Sequence, residues 1–248
     1  MTTQHSSGGE WHTQLGTWLG AVALALALYA LLRDNPNSRK EDSSLAQQTA
    51  EIQLRDTIID LQASMNQNAS APGERPSAAK SWLYFQSVQE ILARKQVTPT
   101  LAGCLVLANF AFSHSDVAEG NRFLTLASAE IKKETSPVTQ SLARSAMAHF
   151  MFDHAPTTPL SEGRERYAEA AAEASKLAGQ GAPFVQLNIL QEWALDEYSA
   201  GHEDAGDAQH AAAIKLLGNE TFSPAFRTAW EQDMDTAIIK AKVRGKLL

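Results

Sequence analysis

The chain has 248 residues, which is enough for one ordinary domain with accessory segments. Acidic residues outnumber basic ones by 28 to 21, and this balance argues against a broad nucleic-acid surface, so no nucleic-acid partner is expected. A single cysteine, Cys104, excludes an intramolecular disulfide and a cysteine-based metal site.

An uninterrupted apolar stretch follows a short tail of residues 1–12. From Leu15 to Leu32 the sequence contains no charged residue, and the stretch meets the roughly 20 residues that a helix needs to cross a bilayer. A cleaved signal peptide fits less well, because the first ten residues contain no Lys or Arg. The sequence therefore predicts one transmembrane helix over residues 13–33, in contact with membrane lipid.

The charges that flank this span predict its orientation. No Lys or Arg precedes it, whereas Arg33, Arg39 and Lys40 follow it, and basic residues favour the cytoplasmic side. We expect a single-pass protein of a bacterial inner membrane with its C-terminal domain in the cytoplasm. The reverse orientation, with the domain on the periplasmic side, stays open.

Small residues recur within the predicted span at intervals of four, three and four. Such a stripe allows two membrane helices to approach closely, so it predicts self-association. Glycine and alanine are also common in membrane helices that have no partner, and this alternative stays open. The stripe consists of Gly16, Gly20, Ala23 and Ala27.

An amphipathic segment covers residues 43–66. Its apolar spacing predicts a helix that forms a stalk between the membrane and the C-terminal domain. Its main apolar stripe is Leu54, Ile58, Leu61 and Met65, and a neighbouring stripe is Leu45, Ile52 and Ile59. Two heptads are too few to specify a coiled coil. A membrane anchor would align two copies of the helix, and a short parallel coiled coil and a homodimer then become plausible. The alternative is that this helix folds back on its own domain.

Residues 67–79 contain two prolines and a glycine but no aliphatic side chain larger than alanine, which is typical of a flexible linker. From residue 80 to residue 248 the apolar periodicity is helical, without sustained apolar/polar alternation, and it predicts an all-α domain of about eight helices. Helix starts are predicted at Ser136, Ser161 and Ser223, because serine caps a helix and proline fits its first turn.

Basic residues are concentrated only at the C-terminal end, at Lys240, Lys242, Arg244 and Lys246. We interpret them as the solvated end of a helix, where the helix dipole favours positive charge. Contact with anionic lipid or with an acidic partner is the alternative.

One pattern of small and aromatic residues occurs twice in the domain. Two segments align without gaps when Ala108 is placed on Ala194, which also places Phe112 on Tyr198, Gly120 on Gly206 and Ala127 on Ala213. A third, looser copy extends from Gln140 to Leu177, with Ala146 and Phe150 in its first helix, Ala168 and Ser175 in its second, and about ten extra residues in its turn.

This pattern resembles the tetratricopeptide repeat, in which a small residue and an aromatic in the first helix are followed by a turn and by small residues in the second. The resemblance covers about half of the chain. The early tryptophan and the terminal proline of that family are missing, and a non-repeat helical bundle is the alternative.

The resemblance implies an α-solenoid of antiparallel helix pairs with a groove lined by the first helix of each pair. Amides can pair with a peptide backbone, and aromatic side chains supply contact area at small entropic cost. The implied partner-binding residues are Asn109, Phe112, Met147, Phe150, Asn188, Gln191 and Tyr198. For the aromatic residues, a place in the core is an equally good interpretation.

Catalytic motifs are not found: the sequence has no phosphate-binding glycine loop, no GxSxG and no HExxH. His202, Asp207 and His210 on one helix, and His149 with His154 beside a turn, are candidate ligands of a divalent metal. His202 and His210 are about two turns apart, however, which is too far for one ion without further ligands, and His202 is expected in a turn as a solvated side chain. We expect no enzyme activity, no metal and no cofactor. The predicted function is that of a membrane-anchored scaffold or adaptor that binds other proteins, with a permanent structural subunit of a membrane complex as the alternative and an enzyme as the weakest.

Overall fold

The computed structural model describes residues 45–70, 76–95, 97–154, 160–179 and 181–246. Within these ranges the chain forms nine α-helices and no strand, which confirms the predicted all-α class for this part. The predicted transmembrane helix over 13–33, together with its stripe of Gly16, Gly20, Ala23 and Ala27, lies outside the described residues. In the part of the chain that the structure describes, no helix has the length and apolar character needed to cross a bilayer.

The helices are numbered in chain order. They are α1 (Leu45–Ser70), α2 (Pro76–Lys95), α3 (Leu101–Ser113), α4 (Val117–Ile131), α5 (Pro137–Asp153), α6 (Leu160–Ala174), α7 (Ala182–Ser199), α8 (Glu203–Leu217) and α9 (Pro224–Gly245).

The described part of the chain divides into two compact units, one that ends at Leu107 and one that begins at Ala108. The division lies within α3, whereas the sequence predicts a helical domain from residue 80 onward. The predicted linker is helical at both ends, since α1 continues to Ser70 and α2 begins at Pro76. Proline suits the first turn of a helix, because the N–H that it lacks would have no partner there.

In the first unit, α1 and α2 pack against each other as a helical hairpin. The predicted stripe of α1 is the buried one: Leu54, Ile58 and Leu61 are at most 3% exposed. The hydroxyl groups of Ser64 and Ser81 form a buried hydrogen bond of 2.6 Å where the two helices approach. Within the described residues, α1 therefore packs on a helix of its own chain, as the fold-back alternative expects.

In the second unit, α5 packs on α6 and α7, and α7 packs on α8 and α9. Two apolar clusters hold these helices together. One joins α7, α8 and α9 through Tyr198, Leu217 and Trp230, and the other joins α5, α6 and α7 through Tyr167 and Ile189. Burial of such side chains stabilises the packing by roughly 1.5–3 kcal/mol for each large aliphatic residue.

Two of the three predicted helix starts are confirmed. Ser136 and Ser223 cap α5 and α9, each hydroxyl accepting a hydrogen bond from a backbone N–H three residues later. The third is wrong, because α6 begins at Leu160 and Ser161 lies inside it. Asp116, which the sequence does not single out, caps α4 in the same way.

Candidate functional site

An aromatic ring near the end of α3 and of α7 lies against a glycine of the following helix. A Cβ atom on Gly120 would come within 2.5 Å of the Phe112 ring, and one on Gly206 would come within 2.6 Å of the Tyr198 ring. These are the positions that the alignment pairs. The aligned alanines, Ala108, Ala127, Ala194 and Ala213, are completely buried.

The pair α5/α6 has the same contact, but in a different register from the one expected. Phe152 is the ring that lies against a glycine, Gly163, and a Cβ atom there would come within 3.0 Å of the ring. Ala148 and Ala170 are fully buried, whereas the predicted Ala168 is exposed. The expected register is therefore wrong by two residues. The turn is also shorter than expected, since six residues separate α5 from α6 and three separate α3 from α4.

The contacts between α5 and α7, and between α7 and α9, include hydrogen bonds between side chains. On one side of α7, Ser145 of α5 donates a 2.6 Å hydrogen bond to Glu192. On the other side, the indole N–H of Trp230 in α9 donates a 2.8 Å hydrogen bond to Gln191. We call Ser145, His149, Glu192 and Asp196 the polar seam of α5 and α7.

The centre of the polar seam is an ion pair between His149 and Asp196. The Nδ1 atom of His149 lies 3.0 Å from Oδ1 and 3.1 Å from Oδ2 of Asp196. Tyr167 of α6 donates a 2.5 Å hydrogen bond to the same carboxylate. The negative charge of Asp196 raises the pKa of His149 to about 10, so the imidazole is charged at neutral pH.

Glu192 of the polar seam and Tyr167, which donates to Asp196, also have shifted pKa values. Burial raises the pKa of the Glu192 carboxyl, although its hydrogen bonds with Ser145 and Asn188 favour the charged form. Burial, together with the nearby charge of Asp196, also raises the pKa of the Tyr167 phenol. Tyr167 therefore stays protonated and can only donate to Asp196.

A second buried carboxylate, Glu197, joins α6 to α7. Arg164 makes a two-pronged contact with it, with hydrogen bonds of 2.8 and 2.7 Å, and the Trp193 indole donates a third of 3.0 Å. The Trp193 ring stacks on the Tyr167 ring, with their centroids 5.6 Å apart. Because Glu197 is 1% exposed and well paired, its role is to hold the two helices together.

The C-terminal end of α9 is attached to the ends of α5 and α8. Arg244 lies 3.1 Å from Asp153, which is also 3.4 Å from Nε2 of His149. Lys242 lies 3.1 Å from Glu203 and 4.7 Å from the centroid of the Tyr198 ring. The phenol of that tyrosine donates a hydrogen bond of 2.6 Å to Asp207.

The structure separates the predicted partner-binding residues into two groups. Phe112, Met147 and Tyr198 are at most 2% exposed and belong to the core, as the alternative interpretation of the aromatics expects. The other four lie partly at the surface of the first helices: Asn109, Phe150, Asn188 and Gln191. Phe150 lies beside Phe112, with ring centroids 6.3 Å apart. Asn188 adjoins the polar seam through its hydrogen bond with Glu192, whereas Gln191 accepts a hydrogen bond from Trp230 of α9.

Sequence reasoning missed the polar seam itself. A signal for it exists, because Ser145 and His149 are four residues apart on α5, and Glu192 and Asp196 are four apart on α7. That spacing places each pair on one face of its helix. Which faces meet depends on helix packing, which the spacing alone does not reveal.

The candidate metal-binding histidines have other partners in the structure. His202 precedes α8 at its start, His210 lies beside the Trp230 ring, and His154 stacks on Phe112. Among the described residues, no group of three or more His, Cys, Asp and Glu side chains is arranged to hold a metal ion.

Comparison with known protein families, with curated proteins and with solved structures gave no match to this chain.

Proposed function

We propose that the chain is a membrane-anchored adaptor, in which residues 13–33 cross the bilayer and a tetratricopeptide-like array of helix pairs binds a peptide or helix of another protein. The observation that carries the proposal is the contact of an aromatic ring with a glycine, which recurs in α3/α4, α5/α6 and α7/α8. In an array of such pairs the first helices line one surface, and α3, α5 and α7 are the first helices here.

The side chains at this surface suit a peptide. Asn109, Asn188 and Gln191 supply amide donors and acceptors for a peptide backbone, and Phe150 and Leu195 supply apolar contact. The polar seam holds α5 and α7 in register beneath them. A preorganised surface of this kind binds at a smaller entropic cost than one that must become ordered.

Site-specific photo-crosslinking in intact membranes tests this proposal. A photoreactive amino acid is placed at Asn109 or Asn188 on the first helices, and at Thr125 or Lys215, which are exposed on second helices, as matched controls. We expect crosslinks to a partner protein from the first pair of positions and few or none from the controls. Equal crosslinking from both pairs, or crosslinks from the controls alone, would contradict the proposal.

A permanent structural subunit is the second candidate, and exposed apolar side chains favour it. Leu83 is 62% exposed and Trp82 is 40% exposed at neighbouring positions of α2. A subunit of a stable complex would cover such side chains. Purification of the full chain from membranes in mild detergent separates the candidates: a fixed stoichiometric partner favours the subunit, and a partner that dissociates on dilution favours the adaptor.

A further inference from the structure

The C-terminal two turns of α9 have an exposed apolar face. Ile239 is 66% exposed and Val243 is 56% exposed, and the four-residue spacing places them on the same side of the helix. On the opposite side, Trp230, Met234 and Ala241 are buried against α7 and α8. The helix is therefore packed on one face, with two aliphatic side chains left in water on the other.

Two lysines flank this apolar pair. Lys240 and Lys246 are exposed and form no ion pair within the described ranges. Their neighbours Lys242 and Arg244 are held by Glu203 and Asp153. Within the described residues, the charge that is available at the last two turns of α9 is therefore positive, whereas the exposed Asp235 lies one turn before Ile239 and the chain as a whole carries a net charge of −7.

A further helix stacked on α9 is a poor fit to this face. One to three turns before Ile239, the same side of α9 carries Thr228, Gln232, Asp235 and Thr236, of which the first three are exposed. A stacked helix needs an apolar stripe along most of its length. A short apolar patch with lysines beside it is instead typical of a helix end that rests on an anionic lipid surface.

We propose that the C-terminal end of α9 contacts an anionic bilayer surface through Ile239 and Val243, with Lys240 and Lys246 at the lipid phosphates. Each lysine near an anionic surface strengthens binding roughly fivefold. Such a contact is weak for a free molecule. It becomes effective when the chain is already held at the membrane, because a tether raises the local concentration to the millimolar range. In this respect the inference rests on the proposed membrane anchor.

The test uses the full chain with Val243→Cys labelled by an environment-sensitive fluorophore, since the natural Cys104 is buried. The chain is reconstituted into vesicles of phosphatidylcholine alone or of phosphatidylcholine with phosphatidylglycerol. We expect a blue shift of the emission in the anionic vesicles only, and we expect it to disappear at about 1 M salt, where the Debye length is about 3 Å. A label at Gln232→Cys, on the same side of α9, is the matched control and is expected not to shift.

Charge variants decide whether the lysines are responsible. Lys240→Gln with Lys246→Gln is expected to weaken the lipid contact by roughly fivefold for each lysine removed. Lys132→Gln with Lys215→Gln, at exposed positions on other helices, is expected to leave it unchanged. An unshifted emission in anionic vesicles, or a shift that follows protein concentration instead of lipid charge, overturns the proposal.

A flotation assay on the same samples tests the membrane anchor independently of the α9 contact. A chain that does not float with phosphatidylcholine vesicles contradicts the membrane span over 13–33. The α9 proposal then still requires the labelled chain to shift when it is titrated with anionic vesicles, at a higher lipid concentration because no tether is present. Failure of that titration overturns the α9 proposal as well.

Discussion

Gly206 shows how a single residue sets the approach of two helices. Glycine within a helix ordinarily costs roughly 0.5–1 kcal/mol relative to alanine. Here the absence of a side chain leaves room for the Tyr198 ring, whose hydroxyl group donates to Asp207. Burial, together with that hydrogen bond, raises the pKa of Tyr198, so the phenol keeps its proton.

We therefore predict that Gly206→Ala destabilises the fold. The added methyl group would lie 2.6 Å from the ring, and overpacking of this kind costs about 1–3 kcal/mol, against a gain of at most about 1 kcal/mol in helix propensity. Urea denaturation of the full chain in detergent measures the change in the free energy of unfolding.

Two matched variants serve as controls. In Gly163→Ala the closest ring atoms are 3.0 Å away, so a smaller loss in the free energy of unfolding is expected. The other control is Gly206→Ala in a Tyr198→Leu background. In that background the loss is expected to disappear. A stabilising effect of Gly206→Ala in the natural sequence would show that the ring moves away at no cost.

At the scale of the helices, the polar seam joins α5 to its neighbours through one charged imidazole. The carboxylates of Asp196 on α7 and of Asp153 on α5 face His149, and Glu192 of α7 lies nearby. Tyr167 from α6 and Arg244 from α9 reach the same two aspartates. Four helices thus meet at a group that is still partly accessible to solvent.

The folded chain should hold the His149 proton well above the usual range of histidine. Its pKa is about 10 in the fold and about 6.5 when unfolded, so its contribution to stability is complete below about pH 6.5 and is lost as the pH rises toward 10. NMR titration of the imidazole is expected to show the charged form at about pH 8. Asp196→Asn should lower the pKa more than Asp153→Asn does, because Asp196 makes the larger contribution.

Two outcomes would contradict the ion pair between His149 and Asp196. One is a pKa of His149 near the usual range of histidine in the natural sequence, and the other is a larger fall of that pKa in Asp153→Asn than in Asp196→Asn.

The helices and two of the three helix pairs were predictable, because their signals are local. Gly120 and Gly206 each follow their aromatic residue by eight positions, so the two copies align without a gap. In the middle copy Gly163 follows Phe152 by eleven positions, and this longer turn concealed the register. The polar seam was not predictable, because its contacts join residues 47 positions apart.

At the scale of the whole molecule, the side of the membrane that the C-terminal domain faces is a prediction from three basic residues, Arg33, Arg39 and Lys40. A reporter that is active only in the cytoplasm, fused after Leu248, is expected to be active. A second reporter that is active only in the periplasm, fused at the same position, is the control and should be silent. The opposite pair of results would place the domain in the periplasm.

The position of α9 has a consequence for the order of folding during synthesis. Gly245 lies against the turn between α7 and α8, where a Cβ atom would come within 2.4 Å of the Tyr198 carbonyl oxygen. Trp230, Met234 and Ala241 cover the apolar surface of α7 and α8. Since a chain folds from its N-terminus as it leaves the ribosome, α7 and α8 stay uncovered until α9 has emerged as well. A chain that lacks α9 would therefore expose this apolar surface, which is the kind of surface that cellular quality control recognises.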